Sequence, residues 1–205
     1  MVNEKLPVVI IIDDDPSFRT MLSRLVGTVG LKSIAFTSAE EFLAAPQPDC
    51  PACLVLDVQM PGLSGLDLQR QLGRGERSLP IVFTTGHGDI PMTVEAMKAG
   101  AVGFLSKPFR NQDMIDAIKE AIARDREARK LFDDVSNLQS RFESLTARER
   151  EVFALVTSGL LNKQIAQKLG TSERTIKAHR AQVVQKMRAD SVADLVRMAD
   201  KLGVS

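Results

Sequence analysis

Five short apolar runs punctuate the first 124 residues, at 8–12, 32–36, 53–56, 81–84 and 103–105, with helix-length segments between them. They are rich in Val, Ile, Leu and Phe and lack strict polar alternation, as strands do when both faces are covered. The intervening segments carry helix-start signals. Pro16 follows Asp15 at a first-turn position where a missing N–H costs nothing. Ser38-Ala-Glu-Glu41 and Ser64-Gly-Leu-Asp67 place a serine cap three residues before an acid, Pro91 opens a further helix, and Asn111 caps the fifth. Alternating β and α elements predict a doubly wound parallel five-stranded sheet with helices on both faces.

From Asn111 to Phe142 there is neither Gly nor Pro, and apolar residues recur three or four apart at Ile115, Ile118, Ile122, Leu131, Val135, Leu138 and Phe142. Asp125 and Arg129 interrupt this stripe. Two readings stay open: a fifth helix followed by a charged linker, or one helix that runs past the sheet and pairs with a second copy. The last 60 residues carry no strand signal. Thr146-Ala-Arg-Glu149 is a capping box, Gly159 ends that helix, Asn162 caps a short one and Gly170 ends it. Thr171 or Ser172 opens a longer helix to about Met187, and Ser191 opens the last. This is the helix-turn-helix plan, a small all-α domain of four helices. The expected organisation is 1–124 for the α/β domain, 125–141 for a helical linker and 142–205 for the helical domain.

At 205 residues, 44% hydrophobic and 26% charged, the chain is long enough for two packed domains and too ordinary in composition for wholesale disorder. No run approaches the roughly 18–20 apolar residues of a membrane span. Residues 1–30 lack the layout of a signal peptide, since the apolar run at 8–12 ends in three aspartates. A soluble, cytoplasmic protein with no membrane partner is expected. The net charge of +1 conceals an asymmetry, because residues 145–205 hold eleven Lys and Arg against six Asp and Glu. A basic tail domain on an acidic body predicts that the tail meets a polyanion. Cys50-Pro-Ala-Cys53 invites a redox reading, but a redox pair follows a strand and opens a helix, whereas Cys53 begins a strand.

Ligands of a parallel α/β sheet bind beyond the carboxyl ends of its strands. The first strand runs into Asp13 and Asp14, the third ends at Asp57, the fourth at Thr85 and the fifth near Lys107. Crowded carboxylates cost roughly 4 kcal/mol per pair at 4 Å and an effective dielectric of 20. Such a cluster calls for a cation, and hard oxygen donors favour Mg²⁺. With Thr85 as donor and Lys107 as countercharge, one carboxylate can act as a nucleophile toward phosphorus.

The stretches "VVIIIDDDPSFR", "CLVLDVQMPGLSGLDL", "PIVFTTGHGDIPMTVEAMKAGA" and "GFLSKPF" closely resemble the receiver domain of two-component response regulators, and the third that of the FixJ branch in particular. The resemblance covers about residues 5–125 and implies a flavodoxin-like fold with strand order 2-1-3-4-5. It implies that Asp57 accepts a phosphoryl group from a sensor histidine kinase. Asp13, Asp14, Asp57 and the backbone carbonyl of Gln59 would hold Mg²⁺ (or Mn²⁺), with Thr85 and Lys107 as switch and phosphate-pairing residues and Phe104 as the switch aromatic. Gln59 and His87, each two residues past a site residue, could face attacking water; for His87 a loop histidine without a role is the alternative.

Between Arg174 and Arg188 lie five basic residues, one histidine and no acid. Such a helix suits a major groove, with its cations meeting phosphates. The segment "LTAREREVFALVTSGLLNKQIAQKLGTSERTIKAHRAQVVQKM" closely resembles the LuxR-type DNA-binding domain. That resemblance places Lys177, Ala178 and Ala181 at base edges and makes Arg174, Thr175, His179, Arg180 and Gln182 candidates for backbone or edge contacts. Alanine cannot hydrogen-bond to a base, so direct readout would rest on Lys177, Arg180 and Gln182. The expected whole is a transcriptional regulator rather than an enzyme, its only chemistry being its own phosphorylation. Its expected partners are a histidine kinase and a double-stranded DNA operator bound as a homodimer. Two rivals stand beside it. A haloacid-dehalogenase-like phosphatase would want an acid where Gln59 stands, and a constitutive DNA binder would not need the acidic set.

Overall fold

A computed structural model describes residues 5–73, 79–86 and 90–204. They form two compact units, which meet in sequence between Arg129 and Lys130.

In the first unit five parallel strands are ordered β2-β1-β3-β4-β5: β1 (Val8–Ile12), β2 (Lys32–Phe36), β3 (Ala52–Asp57), β4 (Ile81–Thr85) and β5 (Gly103–Ser106). Between them run α1 (Pro16–Thr28), α2 (Ala39–Ala44), α3 (Gly65–Leu72) and α4 (Ile90–Lys98), and α5 (Asn111–Glu143) follows. The period of two along a strand sorts side chains to opposite faces. Val8, Ile10, Ile12, Leu54, Leu56 and Phe83 pack with Ala39, Phe42, Leu68 and Ala96 of α2, α3 and α4. Val9, Ile11, Cys53, Val55 and Val82 pack with Leu22 and Val26 of α1 and with Met114, Ile118 and Ile122 of α5. Both faces of the central strands are therefore dry, which is why they read as unbroken apolar runs. Asp15, Ser38 and Ser64 cap α1, α2 and α3 with their side-chain oxygens. Asn111 is the first residue of α5 itself.

Helix α5 is unbroken over 33 residues, as the absence of Gly and Pro allows. The compact first unit continues to Arg129. Asp125, the first residue of the expected charged linker, anchors the helix there. It is fully buried, and its Oδ2 accepts from the Ala52 amide at 2.8 Å and from Arg129 Nε at 2.6 Å. Arg129 Nη2 donates to the Pro48 carbonyl at 3.2 Å. These two charges thus fasten α5 to the start of β3. From 130 to 137 the helix is exposed on all sides.

The second unit holds the end of α5 with α6 (Ala147–Thr157), α7 (Asn162–Lys168), α8 (Glu173–Met187) and α9 (Val192–Leu202). Its core joins Val152, Phe153 and Val156 of α6, Ile165 of α7, Ile176, Val183 and Met187 of α8, and Leu195 of α9, with Leu138 of α5. Gly159 and Gly170 take positive φ after α6 and α7, a conformation that side chains other than glycine's resist. Ser172 caps α8 and Ser191 caps α9. Among the described residues no helix is long and apolar enough to cross a membrane.

Glu149 joins two of these helices. It closes the α6 capping box with Thr146 and accepts from Lys186 Nζ of α8 at 2.7 Å, while itself buried. The lysine contact, followed by the Thr146 amide, holds its carboxyl below the usual glutamate range. A depressed folded-state pKa contributes stability that is fully present above the unfolded value of about 4.3 and is lost as pH falls through the folded value. Glu149→Gln should therefore cost the second unit about 1–3 kcal/mol at neutral pH. It should also flatten the acid limb of stability against pH, measured by urea unfolding from pH 7 downward.

Candidate functional site

The carboxyl ends of β1 and β3, adjacent in the sheet, deliver the acidic residues to one place. Asp13 follows Ile12, and Asp57 ends β3 in register with Thr84 of β4. Asp13 and Asp57 are buried and Asp14 is exposed. One oxygen from each of the three lies within 4.8 Å of the others. Lys107 arrives from the end of β5, where its amide donates to the Thr85 carbonyl at 2.7 Å and its peptide bond to Pro108 is cis. Its Nζ lies 2.6 Å from Asp13 Oδ2, 3.4 Å from Asp57 Oδ1 and 3.8 Å from the centroid of the Phe18 ring. Asp13 is fixed further by the Asp15 amide on Oδ1 at 2.9 Å and by Arg19 on its carbonyl at 2.6 Å.

Burial, above all, pushes the Asp57 carboxyl up from its ordinary range; Asp13 and Asp14 add to this, and Lys107 opposes it. Three carboxylates against one lysine leave the site electron-rich. A hard, oxygen-only donor set with one member open to solvent is the chemistry that suits Mg²⁺ or Mn²⁺, which keep several waters and take one or two carboxylates. A desolvated carboxylate beside a lysine is also suited to attack an electrophilic phosphorus once a cation relieves its neighbours' charge.

Thr85 is fully buried one residue past Asp57's register partner. Phe104 is half-buried and faces Phe83 across the β4–β5 pair, with ring centroids 6.2 Å apart. Gln59 is exposed. His87 lies outside the described residues. Sequence reasoning did not single out Gly65, which begins α3 and donates its amide to the Val58 carbonyl at 3.0 Å. A Cβ there would stand 2.3 Å from the Asp57 carbonyl oxygen. Cys53 lies inside β3, and burial, followed by Asp125, pushes its thiol up to about 12, the reverse of what redox chemistry requires.

In the second unit, Arg174, Thr175, Lys177, Ala178, Ala181 and Gln182 are exposed on α8, and His179 is half-buried. Thr175 is engaged by the Ser172 cap, with the two hydroxyl oxygens 2.9 Å apart. Arg180 is half-buried as well, and its Nη1 donates to Asn162 Oδ1 at 2.7 Å. Asn162, expected to cap α7, is that helix's first residue and uses its amide oxygen for the arginine instead.

Comparison with known proteins returns two families. A response regulator receiver domain matches residues 9–119, and bacterial regulatory proteins of the luxR family match residues 143–199. The chain is 54% identical to nodulation protein W of Bradyrhizobium diazoefficiens, over 97% of this chain and 87% of that one. It is 43% identical to transcriptional regulatory protein FixJ of Azorhizobium caulinodans, over 98% and 95%. Among solved structures, the response regulator StyR superposes with a TM-score of 0.88 at 45% identity, covering 96% of this chain and all of that one.

Gly65→Ala should drive the new methyl into the Asp57 carbonyl and displace the end of β3. The expected cost is about 1–3 kcal/mol in urea unfolding, the range for overpacking a close backbone approach. Wild-type stability in the variant would show that the chain there yields freely.

Proposed function

The chain belongs to the two-component response regulators, as a receiver joined to a luxR-type DNA-binding domain, and from that premise we propose that phosphorylation of Asp57 controls DNA binding by α8. We take residues 1–124 as the receiver, 125–141 as the helical linker and 142–205 as the DNA-binding domain. The observation that carries the proposal is the convergence of Asp13, Asp14, Asp57 and Lys107 at one sheet edge, with Asp57 desolvated.

An Asp57 oxygen attacks the phosphorus of a kinase phosphohistidine; the O–P bond forms, the N–P bond breaks, and the imidazole leaves with the electron pair. Asp13, Asp14, Asp57 and the Gln59 carbonyl would hold Mg²⁺ or Mn²⁺, which supplies positive charge to the phosphoryl oxygens. Lys107, now shared between Asp13 and Asp57, pairs with a phosphoryl oxygen, and the Thr85 hydroxyl donates to another. Phe104 follows Thr85 and alters the surface of α4 and β5. Gln59 stands at the mouth of the site, where it meets water. The chain catalyses nothing beyond this self-modification.

Phosphorylation favours a homodimer, and two copies of α8 enter successive major grooves of an operator with two half-sites. Lys177, Ala178, Ala181 and Gln182 face base edges, while Arg174, Thr175 and His179 flank them. Shifting such an equilibrium from 1:99 to 99:1 takes about 5.5 kcal/mol, a scale that a new dianion in a desolvated site can approach.

Asp57→Asn should abolish labelling by acetyl phosphate in the presence of Mg²⁺; undiminished labelling would move the acceptor elsewhere. Lys177→Ala should leave labelling intact and weaken binding to a duplex selected by the wild-type protein, by about 1–3 kcal/mol in a fluorescence anisotropy titration.

A further inference from the structure

Of the half-buried cations, Lys107, Arg129, Arg148 and Lys186 each face a carboxylate, whereas Arg19 and Arg141 donate to backbone carbonyls. Arg180 is half-buried too, and its partner is a side chain, the neutral amide oxygen of Asn162; among the described residues no carboxylate pairs with it. A guanidinium stays charged at any ordinary pH and has five N–H donors, so one neutral acceptor leaves both charge and donors to be met. The acid-free stretch from Arg174 to Arg188 offers nothing to meet them.

Its place on the helix narrows what could. Ile176, Val183 and Met187 are buried and define the inward face of α8. At about 100° per residue, Arg180 stands about 40° from the centre of that face and about 160° from Ala178, which is exposed. A side chain rooted there points away from the edge that Ala178 faces and lies about 100° around the helix from Ala181. Its hydrogen bond leads it instead to the first residue of α7, the helix that crosses the sugar–phosphate backbone in a helix-turn-helix.

We infer that Arg180 is a phosphate clamp for duplex DNA, and that Asn162 is the positioning residue that holds its guanidinium ready. The inference rests on the DNA-binding reading above and departs from the sequence expectation that Arg180 reads bases. With Nη1 tethered, the guanidinium is ordered before DNA arrives, and its remaining N–H groups are available to a phosphate oxygen. Such a contact fixes register along the duplex without conveying base identity.

The test uses the full-length protein with acetyl phosphate and Mg²⁺. Anisotropy is read on two probes across a salt series: a duplex selected by the wild type from a random library, and a duplex of random sequence. Arg180→Met, which keeps an apolar stem, should weaken both probes alike, about tenfold at low salt, and reduce the slope of log affinity against log salt by about 1. Asn162→Ala should lower affinity by a smaller factor. Asn162→Asp retains the acceptor for Arg180 but neutralises the guanidinium: a clamp loses more affinity with Arg180 present than absent, whereas repulsion of DNA by the new carboxylate alone is the same in both backgrounds. In the Arg180→Met background the Asp substitution should have much less effect, since its target is gone. Circular dichroism melting confirms that each variant is folded; should Arg180→Met not fold, Arg180→Gln takes its place in both arms.

A wild-type salt slope in Arg180→Met, or a loss of affinity confined to the selected duplex, would overturn the clamp and leave DNA binding standing. If the wild type bound neither probe, the DNA-binding reading would fall and take the clamp with it.

Discussion

One ammonium group, Lys107 Nζ, stands between two carboxylates that burial leaves poorly hydrated. It reaches them only because β5 brings its chain to the same edge at which β1 and β3 end. At separations near 4 Å and an effective dielectric of 20, each like-charge pair costs about 4 kcal/mol, and a lysine at the same range returns a similar amount. Asp13, held by a backbone amide and by Lys107, is the better compensated of the two. Asp57 is left with a carboxyl pushed upward by desolvation and a lysine at the longer distance of 3.4 Å. A group in that condition is where an incoming cation or a phosphoryl group gains most.

Strand β3 is constrained at both ends. Its last residue is Asp57, under which Gly65 passes closely enough to exclude a side chain. At its first residue, the Ala52 amide donates to Asp125 of α5, and Arg129 of the same helix reaches the Pro48 carbonyl in the segment before the strand. The strand that presents Asp57 and the helix that continues into the second unit are thus joined by a buried, charged hydrogen bond. Removing one member of such a buried pair usually costs more than the pair contributes.

The basic character of α8 divides by position around the helix. Lys186 is turned inward to Glu149 and serves the packing of α6 on α8. Arg180 is turned toward α7. Arg174 and Lys177 remain exposed on the helix, and Arg188 is exposed just past its end. A count of charges along the sequence treats all five alike, but the helix presents only part of that charge to a polyanion and commits the rest to its own architecture.

The fold class was legible because its signals are local: five apolar runs, serine caps, a threonine–glutamate box and glycines at helix ends each act within a few residues. The acidic site was legible by rule, since a parallel sheet gathers its strand ends and the residues at or just past them here are Asp13, Asp14, Asp57, Thr85 and Lys107. What escaped depends on partners distant in the chain. Asp125 reads as a linker charge until Ala52, 73 residues away, becomes its donor. Asn162 reads as a cap until Arg180, 18 residues on, takes its oxygen. Gly65 reads as an ordinary helix start until Asp57 lies beneath it. Periodicity and capping set which elements form, because backbone geometry imposes both; which polar atoms those elements bury, and against whom, is decided only when they pack.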